Sequence, residues 1–561
     1  MVVLTAVAAV HQLQDRRDNI FSNSFIQQQI INTSVLYCSN IAISQRNSMK
    51  KIFAFFFGST VFCNLSFAQQ PDDALKFGWF TPNGTARNLS IGGAMASLGG
   101  DITSNHINPA GIGLYKTREF VFSPGINLNN NKINFLDTKS TQTRSAFAYG
   151  TGGIIFGSPS RYKGPVASTA FAISVTQLAS YNNHTYYKGN NSYSSYSEKY
   201  VEELVRDGAN EDAALKNYVF GSSLAYYTYL VDTTLDANNQ LSGYRSLVPV
   251  GTGIQQERDE DTKGGLHELA FAFAGNMADR LYLGIGLNIP ILGYTRNLTY
   301  TETDISGNTN NNFAFFTYKE NYKTNGIGLN AKLGLIYKLN NSIRLGFAFH
   351  TPSIMQLTDK QRTEITTNTE AYAGEIKATS DEFNSGNAGE ITYRVTTPYR
   401  VIGSISFLLS PVEETKKQRG FITADLEYVN YRGVRYNVLP ENEGDQIGVD
   451  YYKALNDVIK DYYQGNINVR VGGEIKFDPW AVRLGGAYYG SPYADKELKA
   501  NRIMASGGIG YRNRGFFIDL TLSETFNTDV NFPYRLNDKA NVFAETKNNR
   551  ANIVATAGFK F

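Results

Sequence analysis

Along the last twelve residues of the chain, polar and apolar side chains trade places one by one. Ile553, Ala555, Ala557, Phe559 and Phe561 share one face, while Arg550, Asn552, Thr556, Gly558 and Lys560 share the other, with Val554 the exception. A period of two is the signature of a β-strand with one apolar face. The split recurs at Ile467, Val469, Val471, Ile475 and Phe477 against Asn468, Arg470, Gly472, Glu474 and Lys476, and at Phe516, Ile518, Leu520 and Leu522 against Asp519, Thr521 and Ser523. About fourteen such segments can be counted, near 118–128, 143–157, 166–178, 267–275, 281–303, 312–337, 342–358, 389–408, 420–432, 466–476, 480–491, 500–512, 514–526 and 550–561. Nearly every one reaches the roughly 9–11 residues that a tilted strand needs to cross a bilayer. The connections also alternate in length. Those at 158–165, 276–280, 339–341, 410–419, 478–479 and 513 are short, whereas 179–266, 359–388, 433–465 and 527–549 are long. Short turns at one end and long loops at the other are the pattern of an outer-membrane barrel, in which strand number is even. A soluble sandwich has no reason to sort loop lengths by parity.

Composition agrees. Aromatic residues make up 13% of the 561, with 36 Tyr and 35 Phe, and there are 51 Gly against 15 Pro. A mean hydropathy of −0.30 is too low for a helical membrane protein but fits strands that hide a lipid face by alternation. The net charge of +3 gives no reason to expect a nucleic-acid partner.

The strongly hydrophobic run 52–67 follows Met49-Lys50-Lys51 and ends in Leu65-Ser66-Phe67-Ala68 before Gln69-Gln70, a small-residue cleavage site, which reads as a secretory signal peptide over 49–68. Residues 1–48 then read as an upstream mis-start. Cys38 and Cys63 both precede the expected cut, so the mature chain is expected to lack thiols and to draw stability from a closed barrel with no free strand edge. No lipid anchor is expected at Cys63.

Between the signal and the first strand lies a stretch with seven glycines, Gly84, Gly92, Gly93, Gly99, Gly100, Gly111 and Gly113, together with Pro109. They break long helices and strands and favour a compact, turn-rich segment. An ordinary glycine-rich surface loop is the other reading. A fourteen-strand barrel is too wide for its own side chains to fill, so it is either an open channel or plugged, and residues 69–116 are about the size to fold inside. Ala86-Arg87, Gly92-Gly93-Ala94 and Asn108-Pro109-Ala110-Gly111 resemble the N-terminal hatch of the FadL/TodX (OMPP1) family of outer-membrane transporters of hydrophobic compounds. One hairpin is written twice. Leu339-Asn340-Asn341 leads into Ile343-Arg344-Leu345-Gly346 and Thr351-Pro352, and Asp478-Pro479 leads into Val482-Arg483-Leu484-Gly485 and Ser491-Pro492. This too resembles that family's hairpins.

The resemblance covers the chain from 69 to 561. It implies an all-β, transmembrane antiparallel barrel of about 14 strands (118–561) whose lumen is plugged by an N-terminal hatch (69–117). It further implies a monomer in the bacterial outer membrane, contacting outer-membrane lipid and passing hydrophobic or amphipathic small molecules such as long-chain fatty acids inward without cofactor or energy coupling. By the same resemblance Asn108, Pro109 and Ala110 form the hatch motif, and Phe559 and Phe561 look like the signal read by the barrel-assembly machinery. In the family, ligand leaves sideways at a kink in an early strand. Here 166–178 holds neither Gly nor Pro, while the preceding strand has Gly150, Gly152 and Gly153.

Parity places Lys332, Arg344, Arg470, Lys476, Arg483, Arg550 and Lys560 inward. An amphiphile with a carboxylate head needs a cation to replace its hydration. Arg344, Arg483, Arg470 and Lys332 are the candidate ligand-binding residues, the first two because the repeated hairpin places them equivalently. The alternative for each is an ion pair with Glu268, Glu427, Glu474 or Asp519. Enzymatic readings have little support. No Gly-x-Ser-x-Gly elbow and no zinc-spaced Cys/His set occurs, and the expected mature chain has only His106, His184, His267 and His350. Within 180–266, Glu198, Val201, Leu204, Val205 and then 213–218 suggest one or two amphipathic helices, serving either as a docking groove or as a shield for the rim. The helical period in 433–465 carries the same two readings. Two other functions remain open, a FadL-like barrel serving as a protein-binding shuttle in a secretion system and a nonselective porin.

Overall fold

The computed structural model describes residues 73–81, 83–161, 164–409, 419–495 and 500–561. The expected upstream extension (1–48), the signal peptide (49–68), both cysteines and the first residues of the 69–117 segment lie outside the described residues. Fourteen antiparallel strands form one continuous ring. They are β1 (Arg118–Phe135), β2 (Thr138–Pro159), β3 (Val166–Ser180, continued by Asn183–Asn191), β4 (Ile254–Met277), β5 (Leu281–Asp304), β6 (Phe315–Lys338) and β7 (Ile343–His350 and Ile354–Asn368). They continue as β8 (Gly389–Thr396 and Arg400–Leu409), β9 (Gly420–Asn430), β10 (Gly465–Phe477), β11 (Trp480–Tyr489), β12 (Arg502–Asn513), β13 (Phe516–Asn531) and β14 (Ala544–Lys560). Each strand pairs with its sequence neighbour, and β14 closes the ring on β1 from Glu119↔Lys560 to Phe135↔Ala544. Pro352 and Pro398, which cannot donate to a ladder, sit in the breaks within β7 and β8.

Outward-facing residues sort into two zones. On β6, Ile327, Leu329 and Leu333 are about half exposed, whereas Lys319, Lys323 and Asn325 take the same face farther from the short-turn end. On β5 the exposed apolar residues run from Leu283 to Ile291 and then stop. Phe477, Trp480, Phe559 and Phe561 are exposed at the short-turn rim. A grease belt bordered by aromatics is what a transmembrane barrel shows to lipid. Beyond the belt the outward face turns polar, so the alternation that marks a lipid face fades while the ladder continues. The strands therefore outrun their sequence-based limits. β1 extends to Phe135, not 128, through the Asn129-Asn130-Asn131-Lys132 run, and β4 begins at Ile254, not 267. The tight turn at Leu136 and Asp137, with φ 46° and 62°, ends that first long hairpin.

The long loop shrinks to 192–253. It holds helices Glu198–Arg206, Glu211–Lys216 and Ser222–Tyr227 and a hairpin of Val231–Leu235 with Leu241–Ser246. Tyr196 anchors it over the barrel mouth, its ring 4.7 Å from Tyr300, 5.5 Å from Tyr318 and 5.8 Å from Tyr534. The 433–465 loop carries helix Gln446–Tyr462. Asp445 caps it by accepting the Gly448 N–H, and Tyr452, Leu455, Ile459 and Tyr462 form its buried stripe.

Candidate functional site: a filled lumen with two cavities

Residues 84–115 lie among the inward-facing side chains of the ring. The Ala86 N–H donates to Thr556 Oγ1 (2.7 Å) on β14, and Thr521 on β13 donates back to the Ala86 carbonyl (2.8 Å). Farther round, the Gly92 N–H reaches Ser506 on β12 (3.2 Å), and the Met95 and Ala96 N–H groups share Asp425 Oδ2 on β9 (3.1 and 3.3 Å). Asn105 donates to Ser174 on β3 (2.6 Å) and to the Ala270 carbonyl on β4 (3.2 Å). A turn-rich backbone leaves many groups unpaired by secondary structure, and the polar lumen supplies their partners. Val554, the exception in the alternation, faces inward and packs on Ala86 and Leu89.

Asn108 is the centre of this segment. Its side chain caps the Ala110 N–H (3.1 Å) and donates to Ala96, Leu335 and Phe347 carbonyls at 2.5, 3.2 and 3.3 Å, the last two on β6 and β7. Pro109 opens a short 3-10 helix, Pro109–Leu114, with Ala110 fully buried. The repeated hairpin has a matching purpose on the wall. A Cβ on Gly346 would stand 2.5 Å from the Ala96 carbonyl oxygen, and one on Gly485 would stand 2.2 Å from Gly92 N. In both copies of Arg-Leu-Gly the glycine admits the backbone of the inner segment.

The four candidate cations differ in their surroundings. Lys332 pairs with Glu268; Arg470 meets Glu427 (3.1 Å) and Asp425 (3.6 Å); Arg483 meets Glu474 (2.6 Å) and Asp519 (2.7 Å). Each is thus in the ion-paired environment that sequence offered as the alternative. Arg344 donates to the Leu98 carbonyl (2.8 Å). The partly buried Arg87, on the inner segment, approaches Glu474 at 3.6 Å. Its role is not legible from sequence, because strand parity says nothing about a turn-rich segment.

His106 lies between Glu268 Oε1 (2.9 Å to Nδ1) and Ser174 Oγ (3.0 Å to Nε2). That is the order of an acyl-transfer triad. However, Ser174 is 1% exposed, lines neither cavity described below, and takes the Asn105 amide on its oxygen. The trio therefore ties the inner segment to β3 and β4. His350 makes a second tie, 2.8 Å from the Ile107 carbonyl.

Two of the lumen's cavities border both the inner segment and the wall. The smaller, about 90 Å³, lies among Phe77, Phe80, His106, Lys332, His350 and Arg400. The larger, about 400 Å³, sits toward the long-loop end beside Trp79, Phe80, Gln177, Tyr181, Arg502 and Arg550. Phe80, Asn83 and Leu178 border both. Next to the larger cavity the wall has a seam. Backbone pairing of β2 with β3 runs only from Pro159↔Ser168 to Thr151↔Thr176, although β2 stays paired with β1 as far as Thr138. Beyond Thr151 side chains bridge the gap. Tyr149 N–H donates to Gln177 Oε1 (3.0 Å), and Asn83 Nδ2 donates to the carbonyls of Tyr149 (3.0 Å) and Gln177 (2.9 Å). At the start of the seam Gly150 lies against the Gly84 carbonyl, 2.2 Å from where a Cβ would be. The irregularity thus belongs to the glycines of β2.

No protein-family model and no curated protein matches the chain. Among solved structures it is similar to a FadL homologue from Pseudomonas aeruginosa, with TM-score 0.52 and 13% identity over 86% of this chain and 100% of that one. It is also similar to the toluene transporter TodX of P. putida, with TM-score 0.49 and 11% identity over 86% and 99%. The likeness to the FadL homologue shows a shared fold, the fourteen-stranded FadL-type barrel.

Proposed function

We propose that the protein is an outer-membrane channel for passive inward movement of hydrophobic and amphipathic small molecules, long-chain fatty acids among them, with residues 84–115 as the hatch and Asn108-Pro109-Ala110 as its anchor. The observation that carries this reading is the filled lumen. A segment bonded to strands on all sides leaves cavities of about 90 and 400 Å³ in place of an open bore, which favours a gated path over a porin. The seam beside the larger cavity supports a sideways exit between β2 and β3, where Asn83 and Gln177 stand in for ladder bonds that a passing ligand can displace. Three of the four named cations lie in ion pairs between wall strands, which favours a structural role for them over ligand binding. Phe559 and Phe561, exposed at the short-turn rim, are proposed to serve as the insertion signal.

The test is uptake. In cells stripped of their own outer-membrane importers, the protein should raise the rate of entry of radiolabelled palmitate and toluene. Equal rates with and without it would remove the proposal.

A further inference from the structure

The larger cavity is more polar than a path for hydrocarbon needs. Besides its aromatic residues it presents the amides or hydroxyls of Asn83, Asn127, Gln177, Ser523, Thr525 and Asn552. Asn552 Oδ1 is buried with no hydrogen-bond partner.

Two arginines open into the same space. Arg502 lies with its guanidinium 3.5 Å over the Trp79 ring, touches the Trp79 carbonyl at 3.4 Å, and has a buried Nε with no partner. Arg550 donates from Nε to Asn129 Oδ1 (2.8 Å) and from Nη1 to the Ser180 carbonyl (3.4 Å). Among the described residues neither arginine has a carboxylate within ion-pairing distance, in contrast to Arg470 and Arg483 in the same lumen. Among the described residues lining the cavity Asp529 is the one acid, against Arg502 and Arg550. Guanidinium groups withdrawn from bulk water are best satisfied by a planar anion that takes two parallel N–H bonds, and the aromatic side chains of Phe80, Tyr181 and Tyr493 along the wall suit a ring.

We propose that this cavity binds a hydroxylated aromatic carboxylate, its carboxylate held by Arg502 and Arg550 and its hydroxyl by the surrounding amides. The ligand is thus a compact anion with a polar body, because amides ringing the space leave unmade hydrogen bonds around an alkyl chain. The inference rests on the channel reading for the route by which ligand arrives, and not for the binding site itself.

The chain has two tryptophans, so Trp480→Phe, on the exposed rim, leaves Trp79 as the only one and its emission as a reporter of the cavity. The purified protein in detergent micelles is titrated with 4-hydroxybenzoate, 4-hydroxybenzamide and dodecanoate. The expected result is a saturable change with 4-hydroxybenzoate and binding about tenfold or more weaker for the amide, the loss of a charge-assisted hydrogen bond. Arg550→Gln should weaken 4-hydroxybenzoate to a similar extent and Arg550→Lys less, with barrel folding of each variant checked by its heat-dependent migration on a gel. The proposal is overturned by an absent response, by an amide that binds as well as the acid, or by dodecanoate binding more tightly. If Arg550→Gln does not fold, the acid-against-amide comparison in the Trp480→Phe protein decides alone. Palmitate and toluene uptake with a blank titration would overturn this site and leave the channel; a clean titration without uptake would do the reverse.

Discussion

At the scale of single residues, the inner segment and the wall fit by what the wall omits. Gly334 on β6 faces Asn108, and a Cβ there would stand 2.0 Å from its Oδ1. Gly334→Ala is therefore expected to push the Asn108 side chain off its carbonyls. With each neutral hydrogen bond worth about 1 kcal/mol net and a buried unmet amide costing about as much again, the anchor should loosen by about 2–3 kcal/mol. Faster amide hydrogen exchange over 95–112 than in the parent checks this; unchanged exchange would show that the wall yields instead. Such fits explain what the sequence could and could not tell. The repeated Arg-Leu-Gly was visible, and so was the inward parity of Arg344 and Arg483. The reason for the glycine was not visible, because it depends on a backbone some 250 to 390 residues away. Arg502 escaped notice for a different reason. It starts a strand just past a loop, where parity has no register to count from, and only the cavity shows what it faces.

At the scale of elements, the strand count and the helices of the long loops were legible, and strand length was not. Hydropathy marks a strand only while one face meets lipid, so Asn129 to Phe135 and Ile254 to Leu266 pair without the pattern. The long loop rests on the far ends of the strands. Glu302, near the end of β5 and well outside the grease belt, accepts from the Ser195 hydroxyl, the Tyr196 N–H (2.8 Å), the Tyr300 hydroxyl (2.9 Å) and Gln256 (2.8 Å). Burial outweighs these donors and pushes its carboxyl up to about 7. A raised carboxyl binds its proton more tightly folded than unfolded, so its contribution is intact below about pH 4.5 and is lost as pH rises through about 7. Proteolysis within 192–253 should accordingly quicken between pH 5.5 and 8, and Glu302→Gln should flatten that dependence. A slope unchanged in the variant would assign the effect to another group.

At the scale of the whole molecule, the barrel and its filling are separable in principle, because each barrel strand finds its ladder partners in the ring. Deleting 69–115 should therefore leave a folded cylinder with a wide bore. Planar bilayers ought to show stepwise conductance for the deletion and little for the parent. Equal conductance would mean that the long loops, not the inner segment, close the path. The general architecture was legible from alternation and loop parity, since both follow from lipid outside and water at either end. The seam was not, as it arises where two neighbouring strands fail to pair, and each of them alone reads as an ordinary strand.

The pairing of β14 with β1 also sets an order of events during biogenesis. The ends of the wall are about 440 residues apart, so it cannot become a cylinder until the ribosome has delivered the final strand, and by then the segment ahead of β1 has long been made. A wall that shuts this late is expected to curl around its stopper, as a barrel is coopered about a core, with no bung driven into a finished cask.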